Sequence, residues 1–168
     1  MTPQSSKPRV LVVDDTAANR LAFEAILEAD FHVTLAASGS KALEVCRTQE
    51  FAVIVLDVRM PGMDGFETAR ALRGDNGTSM PPIIIFTTAF DQNVAQLTQG
   101  FAAGATDFLF SPVEPDLLKL KVATYARIYL QFAALQFEVR RLSGALAEAR
   151  EEMARHGLTE SRPPGSPP

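Results

Sequence analysis

The sequence predicts a doubly wound α/β fold on a parallel sheet, and three observations predict it. Short apolar runs recur along the chain and alternate with segments of helical period. Two of these runs, Val10–Val13 and Val53–Leu56, pass straight into carboxylates, Asp14-Asp15 and Asp57. A third, Ile83–Phe86, passes into the polar pair Thr87-Thr88. Continuously apolar strands belong to sheets covered on both faces. The carboxyl ends of such strands are where open α/β sheets bind their ligands.

Taken in order, Arg9–Val13 is the first strand. Thr16 to about Glu28 reads as an amphipathic helix, with apolar residues at Leu21, Ala25, Ile26 and Ala29 and Thr16 as N-cap. His32–Ala36 is a short second strand; no second His or Cys lies near His32, which reads as a surface residue. Ser38 caps a helix running to about Gln49, in which Cys46 is core filler rather than a nucleophile. Val53–Asp57 is the third and central strand, closed by the turn Met60-Pro61-Gly62. Asp64 suits the N-cap of a helix over Gly65–Leu72, and Gly74–Pro82 is a loop. Ile83–Thr88 is the fourth strand, Asp91–Ala103 a helix stopped at Gly104, and Thr106–Phe110 the fifth strand before Ser111-Pro112. The expected core is therefore a flavodoxin-like, doubly wound five-stranded parallel sheet over residues 8–125, with residues 1–7 polar and disordered.

From Glu114 the pattern changes. Pro115 suits a first helical residue, and only Gly144 interrupts the chain before Gly157. A single helix of that extent measures roughly 60 Å at about 1.5 Å per residue, more than one sheet can cover. Ile128, Phe132, Leu135, Val139, Leu142, Leu146, Ala149 and Met153 alternate spacings of four and three without a slip, which is the heptad pattern. A coiled-coil dimer over residues 126–156 is expected, against the alternative of an amphipathic helix lying on its own domain. The flanking positions are poorly charged, so no salt-bridge code selects the partner. Residues 157–168 read as a disordered tail or linker.

Composition excludes several classes of function. No stretch approaches a membrane span and no apolar leader follows Met1, so neither membrane insertion nor secretion is expected. Cys46 is the only cysteine, which forbids an internal disulfide and points to the cytoplasm. With net charge −4 and no basic cluster beyond Arg140-Arg141, direct nucleic-acid binding is not expected. A flavin-binding role on the same fold lacks a phosphate-cradling loop, because Asp14-Asp15 after strand one would repel phosphate.

Asp57 alone would read as a strand-end residue capping a turn. Asp14 and Asp15 on a neighbouring strand end change that reading, because three carboxylates at one edge make a hard, oxygen-rich site. At this point the chain resembles the receiver domain of two-component response regulators. The resemblance rests on Asp14-Asp15 after strand one, Asp57 in Asp-x-x-Met-Pro-Gly-Met-Asp-Gly, Thr88-Ala89 after strand four, and Gly104-Ala105-x-Asp-Phe leading to Pro112. It implies that Asp57 accepts a phosphoryl group from a histidine kinase or phosphotransfer protein. It also implies that Asp15, Asp57 and the backbone carbonyl of Arg59 bind Mg²⁺, with Asp14 acting mainly through coordinated water. Thr88 would then hydrogen-bond the phosphoryl group, and Phe108 would be the switch aromatic, for which plain core packing is an equal alternative. The side chain of Arg59 could reach over the site or be a solvated loop residue.

One residue departs from the family pattern. Where the family has Lys before the Pro that follows strand five, this chain has Ser111. The Lys supplies a charge-assisted hydrogen bond, a type worth about 1.5–3 kcal/mol. Two functions therefore compete. The first is a phosphorylated receiver that signals to a downstream effector through a homodimer seam of Ile128, Phe132, Leu135, Val139, Leu142 and Leu146. The second is an atypical receiver acting as a phosphorylation-independent dimeric docking module.

Overall fold

The computed structural model describes residues 7–74, 80–89 and 94–156. The expected disorder of residues 1–6 and 157–168, most of the loop before Met80, and a helix start at Asp91 lie outside the described residues. Five strands alternate with five helices: β1 (Arg9–Val13), α1 (Ala17–Leu27), β2 (His32–Ala36), α2 (Gly39–Cys46), β3 (Val53–Asp57), α3 (Gly65–Gly74), β4 (Ile83–Ala89), α4 (Val94–Ala102), β5 (Asp107–Ser111) and α5 (Pro115–Arg155). The strands pair in parallel in the order β2-β1-β3-β4-β5. That is the doubly wound flavodoxin-like sheet expected from the apolar runs.

Burial on both faces explains why those runs are continuous. Leu11, Val13, Ile54, Leu56, Ile84, Phe86 and Phe108 enter one core with Ala42, Phe66, Ala69 and Leu72 of α2 and α3. By strand alternation, Val10, Val12, Val53, Val55, Ile85 and Leu109 point to the opposite face. The buried stripes of α1 (Phe23, Leu27) and α5 (Leu118, Val122, Ala126, Tyr129) remain to cover it.

Two of the expected caps form. The Ser38 hydroxyl accepts from the Lys41 N–H at 3.2 Å. Asp64 and Glu67 cap each other's backbone N–H, at 2.7 and 3.0 Å, in a reciprocal box. Thr16 takes the extended N-cap conformation, but its side chain makes no cap bond. The buried face of α1 is not the expected one: Leu21 is 61% exposed, whereas Phe23 and Leu27 are buried. Small alanines throughout α1 leave its apolar period ambiguous, and the two largest side chains that share one stripe settle which way it turns.

The chain divides into two compact units, Met1–Leu130 and Gln131–Pro168. The first runs to Leu130, and Ala126 and Tyr129 are buried in it. In the second, Phe132, Leu135, Val139, Leu142 and Leu146 are each more than half exposed.

Gly100 of α4 carries a stability prediction. A Cβ there would stand 2.4 Å from the ring tip of Phe108 and 3.2 Å from Phe66. Glycine inside a helix ordinarily costs about 1 kcal/mol relative to alanine. Here the missing Cβ is the seat of the Phe108 ring, so Gly100→Ala is expected to destabilise by about 1–3 kcal/mol through overpacking. In a Phe108→Ala background the same change should stabilise. Urea unfolding of the four proteins of this cycle checks the change of sign.

Candidate functional site

The acidic residues converge because parallel strands end at one edge. β1 and β3 are neighbours, with Val13 opposite Leu56, so Asp14 and Asp57 follow in step. Asp14, Asp15 and Asp57 can each offer a carboxylate oxygen with all three within 4.8 Å of one another. Helix α3 begins close beneath this edge: a Cβ on Gly65 would lie 2.3 Å from the Asp57 carbonyl oxygen, and the Gly65 N–H bonds to the carbonyl of Val58 at 3.0 Å.

The three acids differ in how they are held. Asp14 is buried; its Oδ1 accepts from the Thr16 N–H at 2.8 Å and its Oδ2 from Asn19 at 3.0 Å. Asp15 is exposed, with the Thr16 hydroxyl 3.4 Å away. Asp57 is half-buried and accepts from the Arg59 N–H at 3.3 Å. Burial first, and the charges of Asp14 and Asp15 after it, push the Asp57 carboxyl up to about 6, although the Arg59 N–H pulls it down. Such a cluster of hard oxygens whose charges oppose one another fits a small divalent cation, which relieves that repulsion.

Thr88 lies one residue beyond Thr87, the register partner of Asp57. Its hydroxyl is buried and, among the described residues, without a hydrogen-bond partner. A buried hydroxyl left unpaired costs stability unless a ligand or water completes it. By alternation Thr88 shares a face with Phe86, Phe108 and Phe110. The Phe108 ring is buried, 5.6 Å from Phe86 and 5.0 Å from Phe101 between ring centres. Ser111 ends β5, exposed and opposite Ala89. Arg59 is exposed and lines, with Asp15, Met60, Pro61, Phe66 and Gln96, an open cleft beside the acids.

Some contacts away from the acids were invisible to sequence reading. Lys121 donates to Asp107 at 2.6 Å and to the Phe108 carbonyl at 2.9 Å, and Tyr125 donates to the same Asp107 oxygen at 2.9 Å. Burial opposes the charge on Asp107, but its bonds from Lys121, the Phe108 N–H and Tyr125 together hold the carboxyl below its ordinary value. Strand β5 is thereby fastened to the first turns of α5. Cys46, expected to be inert, is half-buried, and burial pushes its thiol up to about 11, far from thiolate chemistry.

Comparison with known proteins agrees with this fold. The family described as "Response regulator receiver domain" matches residues 10–123. The response regulator PleD of Caulobacter vibrioides is 39% identical over 123 residues, covering 73% of this chain and 27% of PleD. A probable cyclic di-GMP phosphodiesterase of Vibrio cholerae is 31% identical over 168 residues, covering 95% of this chain and 38% of its own length. The chain thus spans well under half of either relative. Among solved structures, the chemotaxis protein CheY4 of Vibrio cholerae superposes with a TM-score of 0.65 at 32% identity, over 72% of this chain and 99% of that one. No helix among the described residues is long and apolar enough to cross a membrane.

Proposed function

The chain belongs to the response regulator receiver family, and from that membership we propose that it is a phosphoacceptor switch in which Asp57 takes a phosphoryl group from a histidine kinase or phosphotransfer protein. The observation that carries the reading is the meeting of Asp14, Asp15 and Asp57 at one sheet edge. A carboxylate oxygen of Asp57 forms a new bond to phosphorus as the phosphorus–nitrogen bond of the donor phosphohistidine breaks, and the imidazole nitrogen keeps the bonding pair. Asp14, Asp15, Asp57 and the Arg59 carbonyl would hold Mg²⁺. When bound, the ion supplies the positive charge that an anionic donor and three acids lack. The unpaired Thr88 hydroxyl offers a hydrogen bond to a phosphoryl oxygen. Intact mass after incubation with a small phosphodonor and Mg²⁺ tests the reading; no mass increase in the parent chain would refute it.

The exposed apolar stripe of the extended α5 supports a homodimer as the output, with a downstream effector as its recipient. The Vibrio cholerae relative aligns over 95% of this chain, beyond the family match that ends at residue 123. That alignment supports treating the extension as part of the signalling module.

Ser111 favours a second reading, a receiver that docks without being switched. The side chain is exposed and carries no charge to draw the end of β5 toward a phosphoryl group. A few kcal/mol shifts a two-state switch by two to four decades, and losing part of it leaves the switch incomplete. With a beryllium fluoride mimic and Mg²⁺, hydrogen exchange is expected to slow more around Thr88 and Phe108 than along α5. Ser111→Lys should extend the protection into α5. Equal protection of α5 in the parent chain would show that the serine costs nothing.

A further inference from the structure

The acids of the cluster are unequally held, and the inequality begins in α1. Asp14 spends every polar group on the protein: its N–H goes to the Ala36 carbonyl at 3.2 Å, and its carbonyl accepts from the Arg20 guanidinium at 2.6 Å. Its two carboxylate oxygens accept from the Thr16 N–H and the Asn19 amide. Among the described residues, Asp15 and Asp57 are held by the longer bonds already described, at 3.4 and 3.3 Å. Each carboxylate oxygen has two lone pairs, so one bond apiece leaves Asp14 able to face a cation or its water.

We propose that Asn19 and Arg20 are positioning residues for the cation site, fixing Asp14 so that it enters cation binding already oriented. The proposal rests on the phosphoacceptor reading above. Asn19 lies in the first turn of α1, whose side chains can turn back to the residues before the helix. Being an amide, it donates to the carboxylate without neutralising it. A Lys there would cancel one of the three negative charges, and an Asp would set two carboxylates about 3 Å apart, the distance the amide now spans. Arg20 takes the main-chain carbonyl and leaves the carboxylate to Asn19 and Thr16. The burial of Asp14, at 3% exposure, makes this anchoring matter, since a buried carboxylate with one oxygen unpaired turns toward any other donor. Partners that orient a metal-binding side chain typically contribute tenfold to a hundredfold in affinity.

The test is Mg²⁺ binding by calorimetry on the full chain, with the melting temperature as a control for folding. Asn19→Ala is expected to weaken Mg²⁺ about tenfold. Asn19→Leu, close in volume but without the donor, should do the same, which covers the case in which the alanine variant folds poorly. Arg20→Met should weaken binding in the same direction. A second readout uses a small phosphodonor. The Mg²⁺ concentration giving half-maximal uptake should rise about tenfold, while uptake at saturating Mg²⁺ returns to the parent level. A merely structural role would lower the maximum and leave the half-point unmoved. Unchanged Mg²⁺ affinity in both Asn19 variants overturns this proposal and leaves the phosphoacceptor reading standing. A parent chain that binds no Mg²⁺ overturns both.

Discussion

Asp57→Asn is expected to reduce phosphoryl uptake to background and, in the absence of metal, to make the protein more stable at neutral pH. Uptake is lost with the carboxylate nucleophile, and stability is gained because that carboxylate is half-buried. Burial displaces the Asp57 carboxyl upward, from 3.8 to about 6. Its folded state therefore holds a proton more tightly than the unfolded chain does. Below pH 3.8 both states are protonated and the side chain costs nothing. Between 3.8 and about 6 the unfolded chain ionises first, so the metal-free fold loses stability as pH rises; above about 6 the loss is complete. Asn keeps the shape and removes the charge. Thermal melts should show Asn above the parent at pH 7.5 without metal, the gap closing as pH falls toward 4. Added Mg²⁺ should narrow the gap at pH 7.5, because only the parent keeps all three acids. Intact mass supplies the other half of the test. Uptake by the Asn variant equal to the parent's would move the acceptor elsewhere.

The same physical cause made the acid site legible in the sequence. Strands buried on both faces must be continuously apolar, so the first polar residue after each run marks the sheet edge, and Asp14, Asp57 and Thr87-Thr88 were found that way. Caps were legible at Ser38 and Asp64 because a helix N-terminus asks for a short side-chain acceptor within three residues. Bonds between distant segments were not legible. Arg73 of α3 reaches the carbonyls of Gly104 and Pro82. Lys121 and Tyr125 of α5 meet on Asp107, and these pairings have no local signature. The buried face of α1 was missed because its alanines fit either side of the helix. Gly100 was invisible for a related reason: a glycine in a helical pattern looks like a cost until the ring that occupies its missing Cβ is known. Residue 111 was read as a departure from the family, and the structure adds that β5 is tied to α5 through Lys121 whatever stands there.

Replacing Leu135 and Leu142 together with Asp is expected to convert a dimer to a monomer at micromolar concentration. The two leucines sit one heptad apart, 60% and 53% exposed, within a stripe that continues through Phe132, Val139 and Leu146. Burying a leucine contributes about 1.5–3 kcal/mol. A symmetric two-stranded seam buries four of them, two from each copy, or about 6–12 kcal/mol. A micromolar dissociation constant corresponds to about 8 kcal/mol, so the loss matches or exceeds what holds such a dimer, before the repulsion of four facing carboxylates is counted. Truncation after Leu130 should also give a folded monomer, because the first compact unit closes there. Light scattering on both proteins checks the result; a dimer persisting in either would put the interface on the first unit. Phe137 supplies the control for register. It is 70% exposed but falls midway around the helix from the seam, where a two-stranded coiled coil leaves side chains in water. Phe137→Asp should therefore leave the dimer intact. If it dissociates instead, the helix is enclosed on two sides, and the assembly contains more than two strands.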